Sequence, residues 1–201
     1  MTAYFALLGF IAYMVGTPGP ANLILMLAGM KQGFRGCIGF ILGLVIGKIG
    51  LNLFIGFGFG VVLAVDSTLH KALTYASASY MIWLAVRSWP RSVNSAGNQH
   101  HNRAKKFRFR DGMIVHPINP KAWVMVVFAW GYFAPALGEF SLQLPIIIFS
   151  FAACQLAFHS LWCALGAYLG KSFTHSQRLK KLVVVLTIFV VLGAFIYVPP
   201  A

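Results

Sequence analysis

Two short stretches combine helix-breaking residues with polar side chains inside otherwise apolar sequence. They are Thr17-Pro18-Gly19-Pro20-Ala21-Asn22 and His116-Pro117-Ile118-Asn119-Pro120-Lys121. Each proline removes a backbone donor and clashes with the preceding turn, so a helix running into either stretch should stop and restart. A restarted helix presents unpaired amides and the positive end of its dipole, a setting that favours an anion such as a carboxylate. Asn22 and Asn119, one in each stretch, either satisfy the freed backbone groups or bind a ligand, and the sequence leaves both open.

Further polar residues stand within apolar runs. Lys48 is the sole charge in residues 37–65. A lysine at the centre of a membrane helix costs about 2.5–3.5 kcal/mol on insertion scales, and such residues usually face a cavity or a partner. Lys48 either binds a carboxylate or titrates; the alternatives are snorkelling to the interface or a bond to a buried carbonyl. Asn52, one turn later, shares its face. Gln155 and His159 are four residues apart and share a face of the fifth run. They are candidates for a proton relay or for ligand contact, or for an ordinary interhelical hydrogen bond. Tyr80 either closes the site with its hydroxyl or simply packs, and His116 is titratable but sits beside a proline.

Asp66, Asp111 and Glu139, the 3 acidic residues, all lie at the ends of apolar runs. A buried carboxylate proton carrier is therefore missing, and any coupling has to use His, Lys or Asp111. An enzyme would need paired carboxylates, a metal-ligand cluster or an activated nucleophile, so neither catalysis nor a cofactor nor a metal is expected. His100-His101 reads as part of a solvated linker, because no Cys or carboxylate lies near it. Cys37, Cys154 and Cys163 have no metal-ligand spacing and read as small apolar fillers.

These side chains need a membrane to hold them in register. Of 201 residues, 59% are hydrophobic and 9% are charged, against about 25% charged in soluble domains. Six apolar runs approach the ~20 residues that cross a hydrocarbon core of about 30 Å. They are 3–30 (interrupted at 16–20), 37–65, 69–87, 112–137 (interrupted at 117–120), 142–170 and 182–199. The long second and fifth runs are expected to tilt or enter the interface. The first run lacks the positive n-region of a secretory signal and is expected to stay in the mature protein.

Basic residues in short loops set orientation. Lys31 and Arg35, then Arg87, Arg91, Arg103, Lys105, Lys106, Arg108 and Arg110, then Lys171, Arg178, Lys180 and Lys181 fall on one side of six alternating spans. Only Lys71 falls on the other, while Lys48 and Lys121 lie within spans. The expected topology is multi-pass in a bacterial inner membrane, with basic loops cytoplasmic and both termini outside. Trp89 and Tyr168 then meet the inner interface, and Tyr4, Tyr132 and Tyr197 the outer one. The net charge of +13 is thus a matter of topology, and no nucleic-acid partner is expected.

The two interruptions lie about half the chain apart, in the first and fourth runs. Three runs per half make the second half enter from the opposite side. Interrupted segments at corresponding places in two halves point to a transporter binding site. The expected fold class is all-α and integral to the membrane, with six transmembrane helices forming a 3+3 inverted repeat and helices 1 and 4 broken. Residues 1–201 form one domain: a first repeat at about 1–87, a cytoplasmic basic loop at 88–110 and a second repeat at about 111–201. Gly39, Gly43 and Gly47 make a flat helix face suited to close contact, either inside the protein or at the seam of a homodimer.

Several motifs resemble the LysE/RhtB superfamily of bacterial amino-acid exporters over roughly residues 4–195. They are TPGPAN (Thr17 to Asn22), GFRG (Gly33 to Gly36), GLVIG (Gly43 to Gly47), ASASYMIWLA (Ala76 to Ala85) and INPKA (Ile118 to Ala122). PGPxN together with NPKA is the specific part. Ser77 stands where the family pattern carries glycine, and Lys48 is not a residue of that pattern. The general character is similar to the branch exporting cysteine and O-acetylserine, from which no substrate is transferred. The resemblance implies export of a small amino acid or related metabolite, driven by an ion gradient; proton coupling is expected. It also makes Lys121 the family's NPK lysine, lining the path or anchoring the inner interface. The substrate-binding candidates are Asn22, Lys48, Asn52, Tyr80, Asn119, Lys121, Gln155 and His159, with breaks at Pro18, Gly19, Pro20, Pro117 and Pro120. A metal-ion or other small-solute exporter of the same fold, a channel and a non-transporting scaffold are the alternatives.

Overall fold

The computed structural model describes residues 2–59, 75, 79–86, 89, 106–172 and 177–196. Most of the expected third span, the acidic residue Asp66, Lys71, the linker around His100 and most of the basic loop lie outside the described residues. Among the described residues the secondary structure is helical, without strands.

Helix α1 (Thr2–Gly16) buries Leu7, Ile11 and Val15 along one stripe, the i, i+4, i+8 spacing of a single helix face. Phe5 and Tyr13 on its other side are exposed, as suits a helix with lipid on that side. Pro18 and Gly19 are non-helical, and α2 (Pro20–Phe54) begins with proline at its first position, where the missing N–H would have no helical partner. Inside α2 only Gly33 leaves helical geometry, at φ 71°. Gly29 and Cys37, four residues to either side, both meet Cys163. The chain therefore doubles back at Gly33, a left-handed conformation that glycine adopts without steric cost. A π-helical turn, Ile55–Phe59, follows α2.

Gln32 pins this reversal. Its side-chain amide donates to the Gly36 carbonyl at 2.7 Å and the Phe107 carbonyl at 3.1 Å, and its oxygen accepts from the Phe107 amide at 2.9 Å. Two residues on, α3 (Phe109–Ile118) starts with the Asp111 carboxylate accepting from the Arg108 amide at 2.8 Å. Pro117 remains inside α3; only Asn119 is non-helical before α4 (Pro120–Phe128). The break expected across 117–120 is thus a single residue, because a proline in the last turn costs little further helix. A π turn and a 3-10 turn carry α4 on to Leu137, and Gly138 at φ 104° reverses the chain into α5 (Phe140–Ser172). Helix α6 (Gln177–Ile196) completes the described chain.

Pro20–Gly58 and Phe140–Ser172 are long and apolar enough to cross a bilayer; Thr2–Gly16, Lys121–Leu137 and Lys181–Val190 are shorter apolar helices. The first expected span is divided between α1 and the first arm of α2, and the fourth between α3 and α4.

Packing crosses between the two parts of the sequence. A Cβ at Gly43 would overlap the Phe109 carbonyl, one at Gly47 that of Met113, and one at Gly112 that of Phe40. The glycine face of α2 is therefore filled from within, by α3. In the same way Gly29 of α2 approaches Cys163, and Gly166 of α5 approaches Met26. Leu7, Ile11 and Val15 of α1 pack with Ile147, Phe151 and Cys154 of α5 in a core that also holds Leu51 and Ala122.

Candidate functional site

Interrupting a helix in lipid frees backbone carbonyls that cost several kcal/mol if left bare, and side chains take them up here. At the end of α1, Thr17 Oγ1 donates to Met14 O at 3.1 Å. Asn22 Nδ2 donates to Val15 O at 2.8 Å and Thr17 O at 2.9 Å. The indole of Trp162 donates to Gly16 O at 3.1 Å. At the second break the indole of Trp123 donates to Pro117 O at 2.6 Å, and the Asn119 amide to His116 O at 3.1 Å. Asn119 Oδ1 accepts from the Lys121 amide at 3.0 Å, so Asn119 caps the start of α4. The start of α2 has no such side-chain cap.

Lys121 joins the two breaks. Its Nζ donates to Thr17 Oγ1 at 2.9 Å and to Thr17 O at 3.4 Å, and its chain lies along Gly19. Beside it a cavity of about 330 Å³, counting its open mouth, is lined by Asn22, Asn119, Lys121, Gln155 and His159, and also by His116 and the start of α2. Five of the sequence candidates thus converge on one space.

Three do not line it. Lys48 is 1% exposed and stands just behind the wall, donating to the Ala122 carbonyl at 3.1 Å with its ammonium 4.7 Å from the Phe151 ring centre. That is the buried-carbonyl alternative of the sequence reading. Asn52 supports it, donating to Lys48 O at 3.0 Å and accepting from the Trp130 indole at 3.3 Å. Tyr80 is drawn elsewhere: its hydroxyl donates to the Asp111 carbonyl at 3.2 Å, near the start of α3.

His116 and Thr17 are the residues the candidate set omitted. The His116 and His159 rings stack, with centroids 5.5 Å apart and planes at 15°. Gln155 Nε2 lies 2.9 Å from His116 Nε2. His116 Nδ1, Gln155 Oε1 and His159 Nδ1 are buried and have no hydrogen-bond partner among the described residues. Buried polar atoms are nearly always paired, so three orphans on one cavity mark a place that a ligand or water completes. The signal for His116 was its position in the second break; for Thr17 it was the residue heading the first.

The cavity's chemistry is one-sided. It offers the Lys121 ammonium, the uncapped α2 terminus, two imidazoles and three side-chain amides, and no carboxylate among its described lining residues. Among the described residues no group of three or more His, Cys, Asp or Glu could hold a metal ion.

The family described as LysE type translocator matches residues 12–198. The chain is 26% identical over 114 residues to the homoserine/homoserine lactone efflux proteins of Salmonella typhimurium and of Salmonella typhi. Each alignment covers 55% of this chain and 54% of the relative, so the chain spans about half the length of the curated relatives it matches. No solved structure matches.

Proposed function

Because the chain belongs to the LysE type translocator family, we propose that it exports a small amino acid or related metabolite from the cytoplasm, as a secondary transporter coupled to the proton gradient. One observation carries this reading: two helix breaks, tied by Lys121 and Thr17, border a cavity whose buried polar atoms lack partners. Breaks of this kind are the usual seat of substrate in membrane transporters. The substrate carboxylate goes to Lys121 and the uncapped N-terminus of α2, where positive charge and free amides favour an anion.

The fold we propose is the 3+3 inverted repeat within one domain, with repeats at about 1–87 and 111–201. Supporting it, Gly33 and Gly138 reverse the chain at matching places, just after each broken span. The exchange of contacts also fits: α3 packs on the second arm of α2, and α1 packs on the early part of α5. We further propose an inner-membrane location with both termini outside and the basic loops cytoplasmic, on the distribution of Lys and Arg. Homodimer formation stays within the proposal, through a surface other than the glycine face, which α3 fills.

The relatives named for homoserine and its lactone favour a small polar amino acid as substrate. The test is efflux from cells or proteoliposomes, comparing the native chain with Lys121→Ala and Asn119→Ala. Both variants are expected to insert normally and to lose export; normal export by both would show that the site is wrong.

A further inference from the structure

We infer that Gln155 and His159, with His116 holding the Gln155 amide, bind the substrate's ammonium group, and that a proton on either ring competes with it there. The inference rests on the transport reading above and supplies its coupling step.

An amino acid brings a carboxylate and an ammonium. The carboxylate has Lys121 and the α2 terminus. The ammonium ordinarily goes to a carboxylate, and the described lining of this cavity has none. Its acceptors must be neutral. The amide oxygen of Gln155 can only accept, and it is buried and unpartnered on the cavity wall. Nδ1 of His159 is equally unpartnered, and its neutral ring holds one lone pair. The lone pair of neutral His116 sits at Nε2 and accepts from the Gln155 amide; a proton there would turn Nε2 into a donor and draw the Gln155 oxygen to it, away from the ammonium. The three residues come from α3, which ends at the second break, and from α5.

A lone pair can take a proton or an N–H donor, not both. Protonating either ring turns both of its nitrogens into donors and places a positive charge where the ammonium would sit. The charged groups facing the pair strengthen this exclusion. Lys48 from α2 acts electrostatically on both rings, and Lys121 from α4 lines the same cavity. Helix α1 contributes Met14 and Val15, which are uncharged. With two ammonium groups already present, a substrate ammonium and an imidazolium together are strongly disfavoured. Loading substrate inside then expels a proton from the imidazolium, and a proton arriving from outside expels the substrate. That exchange is antiport without an intramembrane carboxylate.

The experiment uses the purified full chain and three probes, homoserine, threonine and cysteine, screened for export in proteoliposomes. For the exported probe, binding is measured against pH and proton release is followed with an indicator dye. The expected result is release of a proton on binding and affinity that falls about tenfold per pH unit on the acid limb, the slope of one competing proton. The deaminated counterpart of the probe (4-hydroxybutyrate for homoserine) should bind without that acid limb. In His116→Asn and His159→Asn, which keep an acceptor without a titrating ring, binding should weaken and its pH dependence should flatten, most fully in the double variant. Proton release and the deaminated probe need no variant, so a variant that misfolds leaves the inference testable. Export with pH-independent binding would overturn this inference alone. Export of none of the three would overturn the transport reading and this inference with it.

Discussion

The Lys121 ammonium donates to the Thr17 hydroxyl over 2.9 Å, joining two helix breaks 104 residues apart in sequence. A cation from the start of α4 meets the polar end of α1. The same ammonium borders the cavity, so it is both a strut between the breaks and a charge within reach of a bound anion. A substrate carboxylate is a stronger acceptor than a threonine hydroxyl. Binding would therefore draw Lys121 from Thr17 and loosen one break from the other.

Replacing that cation is the first prediction. Charge-assisted hydrogen bonds contribute about 1.5–3 kcal/mol, so Lys121→Ala should lower efflux by about ten- to a hundredfold at unchanged membrane abundance. Lys121→Arg keeps the charge but carries a planar fork where a compact ammonium fits, and should recover only part of the rate. Efflux of a labelled amino acid, normalised to protein in the membrane, checks both.

Asn22 predicts a different phenotype. Its amide serves the Val15 and Thr17 carbonyls, and it is 4% exposed. Asn22→Ala leaves those acceptors short of a donor at a cost of about 1–3 kcal/mol each. The variant should unfold at a markedly lower temperature in detergent, whatever its transport rate. Asn22→Asp, which cannot donate, should be no better. Thermal unfolding followed by size-exclusion chromatography separates this structural role from the transport role assigned to Lys121.

The α2–α3 contact allows a matched comparison. Gly43→Ala forces a methyl into the Phe109 carbonyl, whereas Gly50→Ala on the same helix meets nothing within 4 Å. Gly43→Ala should destabilise by about 1–3 kcal/mol, the cost of overpacking, and Gly50→Ala should be neutral or slightly stabilising through helix propensity. Equal melting temperatures for the two would mean that this helix contact is not as close as described.

The breaks were legible because proline has one backbone meaning wherever it falls, and the glycine stripe because its four-residue period is a helix face. The reversal at Gly33 was not. A loop was expected near residues 31–36, yet one left-handed glycine suffices, and one glycine among 20 carries no mark of its sign of φ. Asn22 and Lys48 stood out as polar residues in apolar runs, but whether each serves a carbonyl or a ligand depends on which helix end lies opposite. His116 was discounted for standing beside Pro117, although that proline stays inside α3 and the His116 ring meets Gln155 and His159 of α5. Tyr80 is the converse case: a hydroxyl in a suggestive motif finds its acceptor in the α3 backbone.

Orientation gives the last prediction. The free cysteines Cys37, Cys154 and Cys163 are all buried, so single cysteines introduced at the surface can be labelled over a low background. Glu139 precedes α5 and Ser172 ends it, and both are exposed. With the basic loops inside, Glu139 faces outward, because the segment around it carries no Lys or Arg, and Ser172 faces the cytoplasm beside Lys171. An impermeant maleimide added to whole cells should therefore label Glu139→Cys and spare Ser172→Cys until the membrane is permeabilised. The opposite pattern would invert the topology and turn the proposed direction of loading around. Labelling of both in intact cells would mean that α5 does not cross the membrane, in conflict with its length of 33 residues, about 50 Å at 1.5 Å per residue.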